Sequence, residues 1–470
     1  MRRVTAGLVV LVLLLAGVTY RLDLGRRWFG FDYPSPVEQP AKVAPPAGLE
    51  LPSARAADAV ARPSPAVAAD PDAVAAALSR LERDRDLGRH VAVDVAQVSD
   101  GTVLHRYGAT SVVPASTLKL LTATAALQSL GPDHRFSTTV VGTPSSSRIT
   151  LVGGGDPFLA RSPSDARGYP ARADLDTLAR STVRALRAIG RDRVRLAYDT
   201  SLFSGPAVNP AWEPSYVPEG VVSPISPLWV DEGRERSGLV ARSTDPAAAA
   251  ARVFAEALER HGVTVVGRPG ARTAEPDAQE LASVDGAPLA QVAAHVLEVS
   301  DNEGAEVLAR QVALAEHEPG SFEGGVTAVR RVLTGLGVDL SRARIHDGSG
   351  LSRDDRLPPE ALLDVVTTAA DADHPHLRAA VADLPVAGFT GSLAARFRTG
   401  DPLGHGMVRA KTGTLSGVHG LAGTVTTKDG AVLAFVLVAD RVALPHTLDA
   451  RAGLDAMASA LAGCACAATP

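Results

Sequence analysis

The clearest strand patterns in this chain stand at opposite ends of its sequence, and that placement restricts the folds open to it. His90 to Val98 (HVAVDVAQV) alternates as a strand, and Ser99-Asp100-Gly101 turns it back into a second strand over Thr102 to Gly108. Far downstream, Met407 to Thr414, Gly420 to Thr427 and Ala431 to Asp440 read as three more strands. Lys428-Asp429-Gly430 is the tight turn between the last two. A helix start at Asp70-Pro71-Asp72 precedes the first strand, and a helix over about 447–462 follows the last. The order helix, hairpin, long middle, three strands, helix predicts one antiparallel sheet assembled from both chain ends with helices covering its faces, an α+β fold.

At 470 residues the chain is too long for one ordinary domain. Arg2 and Arg3 precede an apolar, acid-free run from Val4 to Tyr20, which reads as a targeting segment. It is either an uncleaved membrane anchor or a signal cut near Ala16-Gly17 or Gly17-Val18-Thr19, and in both cases the remainder is expected to be exported. A Pro- and Ala-rich stretch without apolar periodicity follows as an extended linker. The two cysteines, Cys464 and Cys466, are too few for a disulfide framework or a structural zinc site. They read as thiols on a frayed tail, with a strained bridge across one residue as the alternative. A net charge of −5 gives no electrostatic footprint for nucleic acid and suits small-molecule or neutral polymer substrates.

Only four of the 47 basic residues are lysines, namely Lys42, Lys119, Lys411 and Lys428. Lys119 closes Ser116-Thr117-Leu118-Lys119, and Lys411 opens Lys411-Thr412-Gly413-Thr414. Arginine stays protonated in proteins, whereas a desolvated lysine can become a usable base. Ser116 opens an apolar-periodic helix, where unpaired backbone amides favour developing negative charge, and Lys119 three residues on can reach its hydroxyl. Ser300-Asp301-Asn302 forms a short polar turn between two helical segments. Lys411-Thr412-Gly413-Thr414 ends a strand, its glycine leaving room for a substrate to approach the backbone. Each motif alone has a plain alternative: a solvated lysine at a helix start, ordinary N-capping, or an edge strand leaving the sheet. Together and in this order they favour serine-nucleophile chemistry.

The ordered set resembles the signature of penicillin-binding proteins and serine β-lactamases. The long interval between Ser116 and Ser300 resembles one branch of that group, the D-Ala-D-Ala carboxypeptidase/endopeptidase family (class C low-molecular-mass penicillin-binding proteins, peptidase family S13). So do PASTLKLLTATAAL, GPDHRF, LVGGGDP, Asp347 to Ser352 (DGSGLS) and Leu384 to Leu393 (LPVAGFTGSL). The resemblance covers about residues 76 to 463. It implies a penicillin-binding/serine β-lactamase-like fold carrying an inserted, mainly β domain. The expected layout is a signal or anchor over 1–33, linker over 34–75, catalytic domain over 76–141 and 246–463, insert over 142–245 and tail over 464–470.

The resemblance also implies an exported serine DD-peptidase that trims or cleaves peptidoglycan stem peptides and is inhibited covalently by β-lactams. In it Ser116 would attack the carbonyl between two D-alanines, Lys119 would be its base, and Ser300 would relay the proton to the leaving D-alanine. Asn302 would hold the substrate amide and contact Lys119. Lys411 would keep the field positive, and Thr412, Gly413 and Thr414 would line the place of the terminal carboxylate. Backbone amides of Ser116 and Thr414 would form the oxyanion hole. No metal or organic cofactor is implied. A β-lactamase or esterase of the same fold, or a non-catalytic cell-wall-binding protein, are the alternatives. No Glu-x-x-x-Asn is placed as the deacylating pair of class A β-lactamases, which argues against efficient penicillin hydrolysis. Asp371 to His376 (DADHPH) looks like a metal cluster but reads as a solvated loop. Gly153-Gly154-Gly155-Asp156 lacks the rest of a phosphate loop. Because the three motifs lie outside 142–245, the insert is expected to shape access and to supply no chemistry.

Overall fold

The structure is a computed structural model of the chain, which divides into two units, Met1–Ser64 and Pro65–Pro470. The residues described are 66–143, 146–163, 168–235, 240–397 and 402–468, all in the second unit. The expected anchor, and the linker up to residue 65, lie outside them. No helix among the described residues is long and apolar enough to cross a membrane.

Folded structure begins earlier than residue 76. Helix α1 (Pro71–Leu78) starts where the Asp70 carboxylate accepts the Asp72 N–H at 2.9 Å, with proline in its first turn. Strands β1 (Val91–Gln97) and β2 (Val103–Gly108) form the expected hairpin. A 3₁₀ turn over Ala115–Leu118 then leads into α2 (Lys119–Leu130), which stops at Gly131 with φ 82°. The middle of the chain supplies β3 (Ser137–Gly142), β4 (Arg148–Val152), α3 (Leu175–Ala188), β5 (Arg193–Asp199) and α4 (Pro246–Arg260). It continues with β6 (Thr264–Val265), β7 (Gly270–Ala271), β8 (Gln279–Asp285), α5 (Leu289–Val299), α6 (Asn302–Ala315), α7 (Phe322–Gly335) and α8 (Pro359–Ala370). The chain then forms β9 (Val408–Leu415), β10 (Val418–Thr426), β11 (Val432–Ala439) and α9 (Thr447–Gly463).

Both chain ends share one antiparallel sheet in the order β2-β1-β11-β10-β9, closed by β1 on β11 with Val91 opposite Ala439 and Gln97 opposite Leu433. All seven residues of β1 are buried, because this sheet is covered on both faces. Alternation along β11 sends Leu433, Phe435 and Leu437 to the core shared with α1 and α9. It sends Ala434, Val436 and Val438 to the core shared with α2 and helices α5 to α8. Each fully buried side chain of Leu or Phe size contributes roughly 1.5–3 kcal/mol.

The second sheet differs from expectation in extent and make-up. Its order is β6-β5-β4-β3-β8, so it reaches from residue 137 to 285 and not only from 142 to 245. Helices α3 and α4 pack on it through Leu178, Val183, Phe254 and Leu258, and β4–β5 and β5–β6 pair in parallel. The region expected as an insert therefore combines helices and strands. Parallel neighbours need a crossover, and α3 supplies the one between β4 and β5.

The tail is tied down as far as residue 468. Cys464 and Cys466 are joined as a disulfide, Cys466 is fully buried, and Ala467 pairs with Ala69. The Asp70 N–H donates to the Cys466 carbonyl at 2.7 Å, so the tail is held by the segment leading into α1.

Candidate active site

Three elements meet where the 3₁₀ turn enters α2. The turn carries Ser116, half-buried, three residues before the fully buried Lys119. It lies against β9, the edge strand of the two-faced sheet. A side chain at Gly413 would place its Cβ 2.7 Å from the Pro114 carbonyl oxygen and 3.1 Å from Thr117 Cγ2. The clearance at Gly413 is thus filled by the chain's own residues 114–117, and not kept for substrate as the sequence suggested. Gly350 is equally constrained: it has φ 78°, and a Cβ there would fall 1.9 Å from the Ala115 carbonyl oxygen.

Lys119 is the hub. Its ammonium donates to Ser116 Oγ at 2.9 Å, to Asn302 Oδ1 at 2.8 Å and to the Ser349 carbonyl at 2.8 Å. Burial lowers its pKa from 10.5 to about 8, opposed by the carboxylates of Asp347, Glu306, Asp301 and Glu303.

The second motif is the corner between α5 and α6. Ser300 ends α5 in the left-handed conformation (φ 62°, ψ 42°), and Asp301 caps α6 by accepting the Gly304 N–H at 2.6 Å. That corner throws Ser300 toward β9, where Lys411 donates to Ser300 Oγ at 2.8 Å and to the Thr412 carbonyl at 2.8 Å. Burial, reinforced by the nearby Lys119 ammonium, pushes the Lys411 pKa well below its ordinary value. Thr412 is buried and donates to Ser392 Oγ at 2.9 Å, while Thr414 is exposed at the strand end. The residues singled out for chemistry thus form two hydrogen-bonded groups, Ser116–Lys119–Asn302 and Ser300–Lys411, where the 3₁₀ turn, the α5–α6 corner and β9 meet.

Several residues around this site carried no role in the sequence reading. Ser349 contributes a backbone carbonyl, and Val221 another, accepting from Asn302 Nδ2 at 2.9 Å. Any residue owns a carbonyl, so no side-chain signal marks these positions. Glu306 was legible only as an acid in an apolar helix. It is fully buried, accepts the Ser349 N–H at 2.8 Å, and is pushed up to about 8, first by burial and then by Asp347. Behind the Ser300 corner, Glu232, Asp301 and Glu303 converge, with Arg234 paired to Glu232 and Arg242 to Glu303.

Residues 74–239 and 233–461 match the model of the D-Ala-D-Ala carboxypeptidase 3 (S13) family, and the chain belongs to this family of serine-type D-Ala-D-Ala carboxypeptidases. Among curated proteins it is similar to carboxypeptidase Rv3627c of Mycobacterium tuberculosis, with 35% identity over 92% of this chain and 91% of that one. It is likewise similar to carboxypeptidase DacB of Mycolicibacterium smegmatis, with 37% identity over 87% of this chain and 91% of the relative. Among solved structures, penicillin binding protein 4 (dacB) of Haemophilus influenzae shares the fold, with a TM-score of 0.66 and 23% identity over 81% of this chain and 98% of that one.

Proposed function

We propose that Ser116 is the acylated nucleophile of a D-Ala-D-Ala carboxypeptidase/endopeptidase acting on peptidoglycan stem peptides. Ser116 Oγ gives its proton to the Lys119 amine and attacks the carbonyl between the two D-alanines. Backbone amides of Ser116 and Thr414 hold the resulting oxyanion. The proton passes through Ser300 to the departing D-alanine nitrogen as the peptide C–N bond breaks. Water then releases the acyl chain from Ser116. Asn302 orients the substrate amide, and Lys411 with Thr412 and Thr414 receives the terminal carboxylate. That carboxylate stabilises the Lys411 ammonium, which burial otherwise disfavours.

One observation carries this reading. A fully buried lysine with its pKa lowered to about 8 donates at once to Ser116 and Asn302, as an activating base for that serine requires. A β-lactam presents a strained amide at the same place, so penicillin should acylate Ser116. Intact-mass analysis of the protein with excess penicillin is expected to show one adduct, absent in Ser116→Ala. Wild-type protein that stays unmodified overturns the assignment. The Arg2-Arg3 pair and the apolar run from Val4 to Tyr20 support export with a membrane tether. Recovery of the full-length protein in the soluble fraction with that run still attached would refute the tether.

A further inference from the structure

Two of the three acceptors around Lys119 are themselves held by one stretch of the insert. Asn302 Nδ2 donates to the Val221 carbonyl at 2.9 Å. This fixes which end of the amide meets Lys119, since a flipped amide would set oxygen against oxygen at Val221 and its NH₂ against the ammonium. Two residues on, the Ser223 N–H reaches Glu303 Oε1 at 3.1 Å, and Arg242 reaches the same oxygen at 2.9 Å, pinning the start of α6.

The Ser349 carbonyl belongs to a turn shaped by Asp347. Its Oδ1 accepts the Gly350 N–H at 2.7 Å, and its Oδ2 accepts the Ser352 N–H at 2.7 Å and Trp212 Nε1–H at 2.8 Å. Asn209 Nδ2 donates to the His346 carbonyl at 2.7 Å on the same turn. Trp212 is 5% exposed and sits edge-on to Phe322, 5.3 Å between ring centres.

We propose that insert residues 209–223, with Trp212 as the principal side chain, are a positioning element for Lys119: they set the Asn302 and Ser349 oxygens that hold its amine at Ser116. This revises the expectation that the insert only shapes access, and it rests on the reading of Lys119 as the base for Ser116. The charged groups facing Lys119 are Asp347 and Glu306 on one side, Asp301 and Glu303 at the α5–α6 corner, and Lys411 on β9. The Trp212 N–H partly neutralises Asp347. Removing it strengthens the pull of that carboxylate on the Lys119 proton, so the base is freed only at higher pH.

The test is Trp212→Phe in the full chain, which keeps a ring beside Phe322 and removes the donor. Penicillin acylation rates are measured from about pH 6 to 10, bracketing the lowered lysine pKa. Acylation at neutral pH is expected to fall about 10-fold or more, the scale of a small misplacement of a reacting group. The acid limb of the rate profile should move to higher pH, with the apparent affinity for penicillin little changed. Asp347→Asn removes the charge and is expected to move the limb the other way, and it decides the matter alone if Trp212→Phe does not fold. Wild-type protein that is never acylated defeats the underlying reading. Wild-type protein that acylates, with the limb and rate unmoved in the folded variants, overturns the positioning role.

Discussion

Lys119 and Lys411 stand near one another with the same complete burial, yet the charges around them have opposite sign. Four carboxylates pull the Lys119 pKa upward against desolvation and leave it at about 8. At Lys411 the neighbouring charge is the Lys119 ammonium, which adds to desolvation and drives its pKa further down. Burial alone weakens a lysine's hold on its proton. The neighbours then decide whether carboxylates offset that loss, as at Lys119, or a like charge deepens it, as at Lys411.

The contrast breaks most sharply on arginine, which cannot give up its proton and whose planar head crowds Ser116 and Asn302. Lys119→Arg is expected to slow acylation by on the order of 10³-fold or more, the scale of losing an activating base. Lys411→Arg should keep measurable acylation, with about 10- to 100-fold weaker apparent affinity for a D-Ala-D-Ala peptide, since charge survives and geometry does not. Rapid-mixing acylation rates on both variants are the measurement. Equal rates would remove the base role from Lys119.

The smallest effect concerns the carboxylate side of the contrast. Glu306 has its pKa raised from 4.5 to about 8, so between those values the folded protein keeps a proton that the unfolded chain has released. Unfolding free energy therefore falls as pH rises through that window. Glu306→Gln imitates the protonated side chain and should flatten this part of the slope, read as melting temperature against pH. An identical slope in the variant would mean that another group holds the proton.

Much of the main sheet was legible because its signals are local. Ser99-Asp100-Gly101 and Lys428-Asp429-Gly430 mark turns, and the alternating apolar residues beside them mark strands. The insert was harder to delimit. The last strand of its sheet, Gln279–Asp285, is mostly exposed and polar, and its parallel pairs join segments far apart in sequence, which no short window reveals. At the site, the side chains of Ser116, Lys119, Ser300, Asn302 and Lys411 announced themselves by type and order. The carbonyls of Ser349 and Val221 could not, and Trp212 stands out in the sequence only as a tryptophan in a proline-rich stretch, suited to a core. Cys464 and Cys466 were read as a loose end because nothing in the tail's composition shows that residues 68–70 lie beside it.

That last pairing has a topological consequence. Ala69 faces Ala467, and the Ala468 N–H donates to the Ala68 carbonyl at 2.8 Å, so the described unit starts and finishes at one place and its path is nearly a ring. What such a path requires is adjacency of its elements more than a particular starting point. A chain opened at the exposed Ser99-Asp100-Gly101 turn and joined from 468 to 68 by a short peptide should build the same sheet order. In that permuted chain the β1–β11 pairing, which in the natural order closes across almost the whole folded unit, would become a contact between near neighbours in sequence. The long closure would pass instead to β1–β2, whose hairpin the new termini divide, so the permutation moves that loop to another pair of strands and does not remove it.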